Sequence, residues 1–323
     1  MQRYTVTHIA KEQCKLLADD FEDIELRPNE IAGRTVASLV SPGTELNACY
    51  LGRGVPRESG YSSVFEIEEM GRDVEGLKVG QLMFVDGNHT SYVKVATSDA
   101  IPVPEGVQAS EAVVARLMGV SMTTLMTTTA RPGDLVMITG AGPVGYLAAE
   151  IFRLSGYDVF IVEPNKSRRQ FAEEAAYKTF ESAPLDDEKY CKSVALVIDC
   201  SGHEKAVLDG LKMVRFRGEV VMVGVPWKKQ TDLDAHSVLW EVFHNYPVLR
   251  SGWEWEIPRE SNQFNPHSIR TSRELALKWL FEKRVNLNGV ISTHSPEECQ
   301  DVYQGHLHKT HKSLCTVFDW KLI

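Results

Sequence analysis

The segment LVMITGAGPVG, residues 135–145, decides the fold of this chain. Its apolar run LVMIT predicts a buried strand, and a helical pattern begins near Pro143, so the glycines occupy a strand-to-helix turn. Gly140 can take the tight turn, Gly142 lets backbone N–H groups approach a pyrophosphate, and Gly145 lets the helix pack against the strand. Because a helix N-terminus attracts anions, the turn predicts a dinucleotide site that includes Val144.

The second strand of this unit, YDVFIVE, ends at Glu163, 23 residues after Gly140. An acidic residue at about this spacing hydrogen-bonds the ribose hydroxyls of NAD and repels the 2′-phosphate of NADP. The spacing therefore favours NAD. Lys166, Arg168 and Arg169 follow closely and leave NADP open, and Arg168 is itself a candidate cofactor contact.

The residues on either side of this βαβ unit also predict an α/β fold. Further apolar runs, SVALVIDCSG and GEVVMVGVP, end in small residues and predict more parallel strands of a doubly wound sheet. Before the turn, short runs punctuated by Gly, Pro, Asn and Asp predict an antiparallel β domain. These runs are IELRP, RTVASLVSPG, SVFEIEEMG, LKVGQLMFVDGN, SYVKVA and AIPVPEG. A helix from Ser110 connects the two regions, and a helix, a second helix and a strand follow Thr271.

Composition narrows the class of protein. The 323 residues carry 35 Lys and Arg against 44 Asp and Glu, a net charge of −9, and no basic run, so we expect no nucleic-acid partner. Neither a signal peptide nor a long apolar span is evident, which predicts a cytoplasmic protein without membrane contact. The six cysteines form no CxxC pair, so we expect reduced thiols and no structural zinc.

Three motifs, SPGTEL at 41–46, GYSSVFEIEEMGRDVEGLKVGQ at 60–81 and ITGAGPVG at 138–145, resemble the medium-chain dehydrogenase/reductase superfamily. The SPGTE and GY motifs are similar to its bacteriochlorophyllide dehydrogenase-like cluster, from which we infer the fold and not the substrate. The resemblance implies a GroES-like β-barrel domain at 1–124, a Rossmann NAD-binding domain at 125–270, and a return to the first domain at 271–323. It also implies a homodimer.

The resemblance implies that the zinc ligands of this superfamily are missing. Where zinc members carry a Cys-Gly-Thr-Asp segment the chain has Pro42, and where they carry histidine in Gly-His-Glu it has Tyr61. The third ligand position corresponds to Gly119 or Ala115. Since these side chains are not the Cys, His or carboxylate ligands that bind zinc, we predict no catalytic zinc.

Other groups must then handle the substrate oxygen and its proton. Tyr61 could hydrogen-bond that oxygen or could fill the space of the metal as a packed aromatic ring. Thr44 matches a proton-relay position of the superfamily, with Ser41 and Glu45 beside it, and Glu45 could be a base or a structural carboxylate. His89 could shuttle a proton or could be a solvated loop histidine.

The resemblance further places cofactor contacts at two strand ends, Ser201-Gly202 and Gly224-Val225. Together these features predict a zinc-independent, NAD-dependent oxidoreductase that interconverts a secondary alcohol and a ketone on a cyclic polyol, sugar-derived or other ring substrate. One alternative is an NADPH-dependent enone or quinone reductase. Another, of a different class, is a nucleotide-binding module without turnover.

Overall fold

The computed structural model describes residues 2–20, 25–52 and 54–323 and divides the chain into two compact units. Unit 1 comprises Met1–Arg116, Leu277–Lys283 and Leu287–Ile323, and unit 2 comprises Leu117–Ala276 and Arg284–Asn286. The predicted boundaries were 124/125 and 270/271. In the structure the chain passes from one unit to the other at 116/117 and at 276/277, and each of these boundaries falls inside a continuous helix. The amino-acid composition does not change at either boundary, so the sequence does not mark them.

Unit 1 begins with a hairpin and continues as short strands joined by turns. Its elements up to the first boundary are β1 Gln2–Ala10, β2 Gln13–Asp20, β3 Glu30–Val40, α1 Pro42–Glu45, β4 Arg57–Glu58, β5 Ser62–Met70, β6 Leu82–Val85, β7 Tyr92–Ala96, β8 Ala100–Pro102 and α2 Ala109–Ala112. A helix, α3 Ala115–Thr127, carries the chain into unit 2.

Unit 2 alternates strands and helices. Its elements are β9 Leu135–Thr139, α4 Pro143–Leu154, β10 Asp158–Val162, α5 Lys166–Glu174, β11 Lys178–Phe180, β12 Val194–Asp199, α6 Glu204–Met213, β13 Val214–Met222, α7 Ala235–Asn245 and β14 Val248–Ser251. A helix, α8 Ile269–Phe281, returns the chain to unit 1, which ends with β15 Ile291–His294, α9 Cys299–His308 and β16 Cys315–Asp319.

The six strands of unit 2 form one parallel sheet in the order β11-β10-β9-β12-β13-β14. Numbered within the unit this order is 3-2-1-4-5-6, the order of the doubly wound dinucleotide fold. Strands before β12 are added on one side of β9 and later strands on the other, so the strand order switches between β9 and β12. In such sheets the ligand binds in the crevice at the carboxyl ends of the two strands at this switch. β12 is buried at every position, as expected of a central parallel strand.

Unit 1 contains a separate, mainly antiparallel seven-stranded sheet. The central strand β3 pairs with β5, β7 and β16, and only β15 and β16 pair in parallel. Two apolar clusters fill this unit. One includes Ile31, Phe65 and Ile67, and the other brings residues from β1, β2 and α9 together with Phe318 and Trp320. The predicted α/β fold class, with a Rossmann-like sheet and a second β unit, is confirmed.

Two local predictions in unit 1 need correction. The strand predicted from IELRP is wrong for residues 25–28, because the amide of Glu30 hydrogen-bonds the carbonyl of Arg27 and closes a turn there. Ile24 lies outside the described residues. The hairpin of β1 and β2, paired from Gln2 and Asp20 inward, was not predicted. Among the described residues no helix has the length and apolar character needed to cross a membrane.

Candidate functional site

The glycine turn of unit 2 is shaped by backbone contacts that exclude side chains. Gly140 has φ of +87°, a left-handed conformation that favours glycine. A Cβ atom on Gly145 would lie 1.8 Å from the carbonyl oxygen of Gly140. Gly142 precedes α4 without a side-chain cap, and Pro143 and Val144 begin the first helical turn. This uncapped helix N-terminus fits a pyrophosphate, as the sequence predicts.

Glu163 follows β10 and is tied to the glycine turn. Its carboxylate is 4% exposed, with Oε2 accepting the amide of Ala141 at 2.7 Å and Oε1 accepting the amide of Asn165 at 2.8 Å. Each carboxylate oxygen has two lone pairs, so the group can still accept bonds from ribose hydroxyls. Glu163 therefore fixes the turn and places a negative charge beside it.

Arg168 adds a positive charge beside the turn. Asn165 caps α5 by accepting the amide of Arg168 at 3.1 Å, which positions this residue in the first turn of the helix. An Nη1 atom of Arg168 lies 4.0 Å from where a Cβ of Gly142 would be. Its guanidinium bonds no described residue, whereas that of Arg169 bonds the carbonyl of Glu163 at 2.8 Å. A phosphate could therefore use the Arg168 guanidinium.

Asp199, a residue absent from the sequence-based site, organises the neighbouring strand end. It is fully buried, and its Oδ1 accepts the hydroxyl of Thr139 at 2.7 Å and the amide of Ser201 at 3.0 Å. Its Oδ2 accepts the amide of Gly202 at 3.1 Å. An acidic residue in the otherwise apolar run VALVID is the sequence signal that marks this position.

The predicted cofactor residues on three strand ends lie together. A Cβ on Gly140 would lie 3.3 Å from the Ser201 side chain, and one on Gly224 would lie 2.4 Å from the amide of Gly202. Gly202 has φ of +64°, and a Cβ there would lie 2.5 Å from the carbonyl oxygen of Val225. The carboxyl ends of β9, β12 and β13 thus form one glycine-lined edge, and their backbone can approach a flat ligand closely.

In unit 1 the structure brings two predicted catalytic residues, Glu45 and His89, into one buried network. His89 Nε2 lies 3.1 Å from Oε2 of Glu45, and both side chains are almost completely buried. The hydroxyl of Tyr303, on α9, also donates to Oε2 of Glu45. Oε1 of Glu45 accepts the amide of Ser41 at 2.6 Å. The sequence did not indicate Tyr303, which is 258 positions from Glu45 in the chain.

The rest of the network gives both ring nitrogens of His89 a hydrogen-bond partner. Trp320 Nε1 donates to Ser38 Oγ at 2.8 Å, and Ser38 Oγ lies 2.8 Å from Nδ1 of His89. In neutral His89, Ser38 donates to Nδ1 and the Nε2–H donates to Glu45, which satisfies every atom. The hydroxyl of Tyr303, already donating to Glu45, accepts from Ser59 at 3.0 Å.

This environment shifts the pKa values of two groups. Burial opposes ionisation of Glu45, but the charge of His89 and the hydrogen bonds from His89, Tyr303 and Ser41 outweigh it and lower the pKa of Glu45. His8, fully buried with its ring 4.7 Å from that of Tyr303, has no hydrogen-bond partner on either nitrogen among the described residues. Burial lowers the pKa of His8 to about 4. The network is therefore anionic at Glu45, beside a neutral His8.

Tyr61 and Thr44 lie outside this network and are partly exposed. The guanidinium of Arg116 stands 4.2 Å from the centroid of the Tyr61 ring, and its Nε lies 3.3 Å from Oδ1 of Asp86. Arg116 is 6% exposed, so its charge is held in a fixed place beside the phenol. Such a cation over an aromatic ring is attracted to the π-system and stabilises negative charge on the ring.

The residues that the resemblance aligns with the zinc positions offer none of the usual zinc ligands. Pro42, Gly119 and Ala115 have no ligand atom in their side chains, and the Tyr61 ring carries the Arg116 cation on its face. Within 2–20, 25–52 and 54–323, no cluster of three or more His, Cys, Asp or Glu side chains has a metal-binding arrangement.

Comparison with known proteins agrees with this architecture. The family model of zinc-binding dehydrogenases matches residues 143–251. The chain is 28% identical over 129 residues to the 2-dehydro-3-deoxy-L-galactonate 5-dehydrogenase of Pseudoalteromonas atlantica, a match covering 38% of each protein. It is 26% identical over 217 residues to the sorbitol dehydrogenase of Halalkalibacterium halodurans, covering 64% of this chain and 58% of the relative. A putative D-xylulose reductase of Agrobacterium fabrum is 26% identical over 133 residues, so the chain matches 38% of the length of this relative and of the galactonate dehydrogenase.

Solved structures share the whole fold. The galactitol-1-phosphate dehydrogenase of Escherichia coli superposes with a TM-score of 0.82 at 14% identity, covering 98% of this chain and 99% of the other. The L-idonate 5-dehydrogenase of Escherichia coli superposes with a TM-score of 0.81 at 15% identity, covering 99% of both chains. The glycine turn, the 3-2-1-4-5-6 sheet and these matches together support the medium-chain dehydrogenase/reductase superfamily as the family of this chain.

Proposed function

We propose that the protein is a zinc-independent, NAD-dependent oxidoreductase that interconverts a secondary alcohol and a ketone. The observation that carries this proposal is the position of Glu163, whose buried carboxylate is bonded to the glycine turn. A fixed negative charge there accepts ribose hydroxyls and repels a 2′-phosphate.

The residues present fit a dinucleotide. The uncapped N-terminus of α4 would hold the pyrophosphate, Glu163 the adenosine ribose, and the strand ends at Gly202 and Gly224 would lie against the rest of the cofactor. When bound, the nicotinamide supplies the acceptor or donor of a hydride. The protein positions the cofactor and the substrate and stabilises the charge that develops in the reaction.

We propose a cyclic polyol, a sugar-derived molecule or another ring compound as the substrate. The names of several relatives support the sugar-derived member of this class: a 2-dehydro-3-deoxy-L-galactonate 5-dehydrogenase, a sorbitol dehydrogenase and an L-galactonate-5-dehydrogenase. All three names describe oxidoreductases of polyols or sugar acids.

For the substrate proton we propose Tyr61, assisted by Arg116. An alcohol must lose its hydroxyl proton as the hydride leaves, and a phenol whose ring faces a cation can stabilise the negative charge that this creates. Thr44 is the second partly exposed hydroxyl and our candidate relay. Glu45, His89 and Ser41 form the buried network, which we propose keeps a carboxylate ionised and the surrounding backbone fixed.

One observation favours an alternative, an NADPH-dependent reductase of enones or quinones. The Arg168 guanidinium lies beside Gly142 and bonds no described residue, so it could receive a 2′-phosphate. Enones and quinones carry their own polarising carbonyl, and a few hydrogen bonds suffice to stabilise the product.

We also propose a cytoplasmic homodimer. β14 is at the edge of the unit 2 sheet, and the nearby α7 exposes Leu239 at 64% and Phe243 at 74%. A second copy would cover these apolar groups and pair the open strand edge. In light scattering, Phe243→Glu should convert a dimer into a monomer. A monomeric wild type would contradict this proposal.

The experiment for the function is turnover with and without a chelator. The purified protein is offered NAD with polyols and cyclic alcohols, and NADH with the matching ketones, before and after EDTA. We expect the same rate in both states, with kcat reduced about 10²-fold in Tyr61→Phe because a proton-transferring group is lost. Activity that EDTA abolishes and zinc restores would overturn zinc independence, and consumption of NADPH by enones would establish the alternative.

A further inference from the structure

The start of β5 and the end of β6 lie side by side in unit 1. Tyr61 directly precedes β5, and Asp86 directly follows β6. The two strands are antiparallel, with Val85 opposite Ser63, so the residue before one strand and the residue after the other are at the same end of the pair. The sheet therefore holds the backbone of Tyr61 near that of Asp86.

Arg116, the second residue of α3, connects these two residues through its side chain. Its Nε lies 3.3 Å from Oδ1 of Asp86, and its guanidinium carbon lies 4.2 Å from the centroid of the Tyr61 ring. The hydroxyl of Ser62 donates to the carbonyl oxygen of Val113 at 3.0 Å, which ties the chain before α3 to the start of β5. The Arg116 side chain is 7% exposed and that of Asp86 is 45% exposed. Arg116 thus contacts both a carboxylate and an aromatic ring.

The segment that begins at Asp86 also fixes the backbone before Tyr61. The amide of His89 donates to the carbonyl oxygen of Ser59 at 2.7 Å. Gly60 has φ of +146°, and a Cβ atom there would lie 2.4 Å from backbone atoms of Asn88. Residues 59–60 therefore pack directly on residues 88–89. One short segment, 86–89, holds the cation at one end and the backbone leading to the phenol at the other.

We propose that Asp86 is a positioning residue that holds the Arg116 guanidinium against the Tyr61 ring, where its positive charge favours the phenolate form of Tyr61. The inference rests on the proposed function for the part that Tyr61 has in turnover. A phenol can accept the proton of an alcohol only after it has lost its own, and a fixed cation beside the ring makes that form available at lower pH. An arginine side chain has many rotamers, and an ion pair at Nε restricts them.

The charge of Asp86 and its positioning effect act on Tyr61 in opposite directions. A nearby carboxylate disfavours a phenolate, so loss of that charge alone would make the phenol ionise at lower pH. If Asp86 holds Arg116 in place, its loss lets the guanidinium leave the ring, and the phenol ionises at higher pH. The guanidinium contacts the ring directly and the carboxylate acts through it. The positioning effect should therefore be the larger one.

The test is an ultraviolet titration of the Tyr61 phenol in the full chain, between about pH 7 and about pH 11, with circular dichroism as the check of folding. The signal of Tyr61 is the difference between each protein and the same protein carrying Tyr61→Phe. We expect the midpoint in Asp86→Asn to lie about 1 pH unit above that of the wild type. Asp86→Glu keeps the carboxylate and should restore a lower midpoint. The control Asp73→Asn removes an exposed carboxylate that lies 3.7 Å from Nε of Arg72, and it should leave the midpoint unchanged.

The titration decides the proposal without any substrate. An unchanged or lower midpoint in Asp86→Asn would overturn it, and so would a wild-type midpoint above about 10, the value of an unperturbed tyrosine. In turnover, kcat of Asp86→Asn should fall about tenfold with KM within about twofold of the wild type. A kcat equal to that of the wild type would also overturn the proposal. A wild type that turns over no alcohol or ketone would instead contradict the proposed function, and the midpoints would still report on Asp86.

Discussion

The glycine turn of unit 2 and the polar network of unit 1 are built in opposite ways. In the turn, Gly140 to Gly145 act through backbone shape and Glu163 through bonds to backbone amides, and all of them come from 24 consecutive residues. In the network, Ser38, Glu45, His89 and Tyr303 act through side chains drawn from distant parts of the chain. A local motif is readable from sequence because its geometry follows from residue type and spacing. An assembled network requires the fold.

The largest expected effect is on the glycine turn of unit 2. Gly145→Ala would place a Cβ 1.8 Å from a backbone oxygen that cannot move away easily. We expect about 3 kcal/mol or more of lost stability in unit 2 and loss of detectable NADH binding. Denaturation and a binding titration measure these. The control is Gly43→Ala, where a Cβ meets nothing within 4 Å. If Gly145→Ala bound NADH as tightly as the wild type, the turn would not depend on its backbone shape.

The next effect concerns the side-chain network. Glu45→Gln removes the charge that faces His89 and provides an amide that cannot accept all three of its hydrogen bonds. We expect a loss of about 3 kcal/mol in the free energy of unfolding of unit 1, because buried donors lose part of the ionised acceptor that they share. Chemical denaturation measures it, with the exposed Glu105→Gln as the control. A loss below about 0.5 kcal/mol, the range of surface substitutions, would show that the network is not cooperative.

His8 predicts a pH dependence of stability. Its pKa is near 6.5 when unfolded and about 4 in the folded protein. Between these values the unfolded chain binds a proton that the folded chain does not, so stability falls as pH falls through this window, by up to about 3 kcal/mol. His8→Phe keeps the ring contacts with Tyr50 and Tyr303 and should remove this part of the slope.

Denaturation curves at about pH 7 and about pH 4 compare wild type with His8→Phe and with the exposed control His267→Phe. The control should keep the wild-type slope. An identical slope in His8→Phe would mean that folding does not lower the pKa of His8.

The smallest effect distinguishes the two charges at the glycine turn. Glu163→Gln should weaken NADH binding about tenfold, or about 1.4 kcal/mol, and reduce the discrimination against NADPH. Arg168→Gln should leave NADH binding within about twofold of wild type, because the proposed anchor of the ribose is Glu163. Tighter NADH binding by Glu163→Gln would contradict the assignment of this carboxylate.

Much of the fold was predictable, because periodicity and turn residues report local structure. The βαβ unit and the strand ends at Gly202 and Gly224 follow from such patterns. The hairpin of β1 and β2 did not, although its strands alternate in burial over part of their length.

The candidate site was predictable where the residues in contact are close together in the sequence. Asp199 was missed because its partner Thr139 is on another strand, 60 positions away in the chain. Tyr303 was missed because its contact with Glu45 closes only when the C-terminal helix reaches unit 1. His89 was selected by residue type, but burial and its contacts with Ser38 and Glu45, which sequence does not report, determine its environment.

The central claim is a preference for NAD that rests on Glu163. We would titrate the purified protein with NADH and, in parallel, with NADPH, following energy transfer from its six tryptophans to the nicotinamide. The account predicts saturable binding of NADH that is clearly tighter than that of NADPH. Tighter binding of NADPH, or binding of neither, would contradict it.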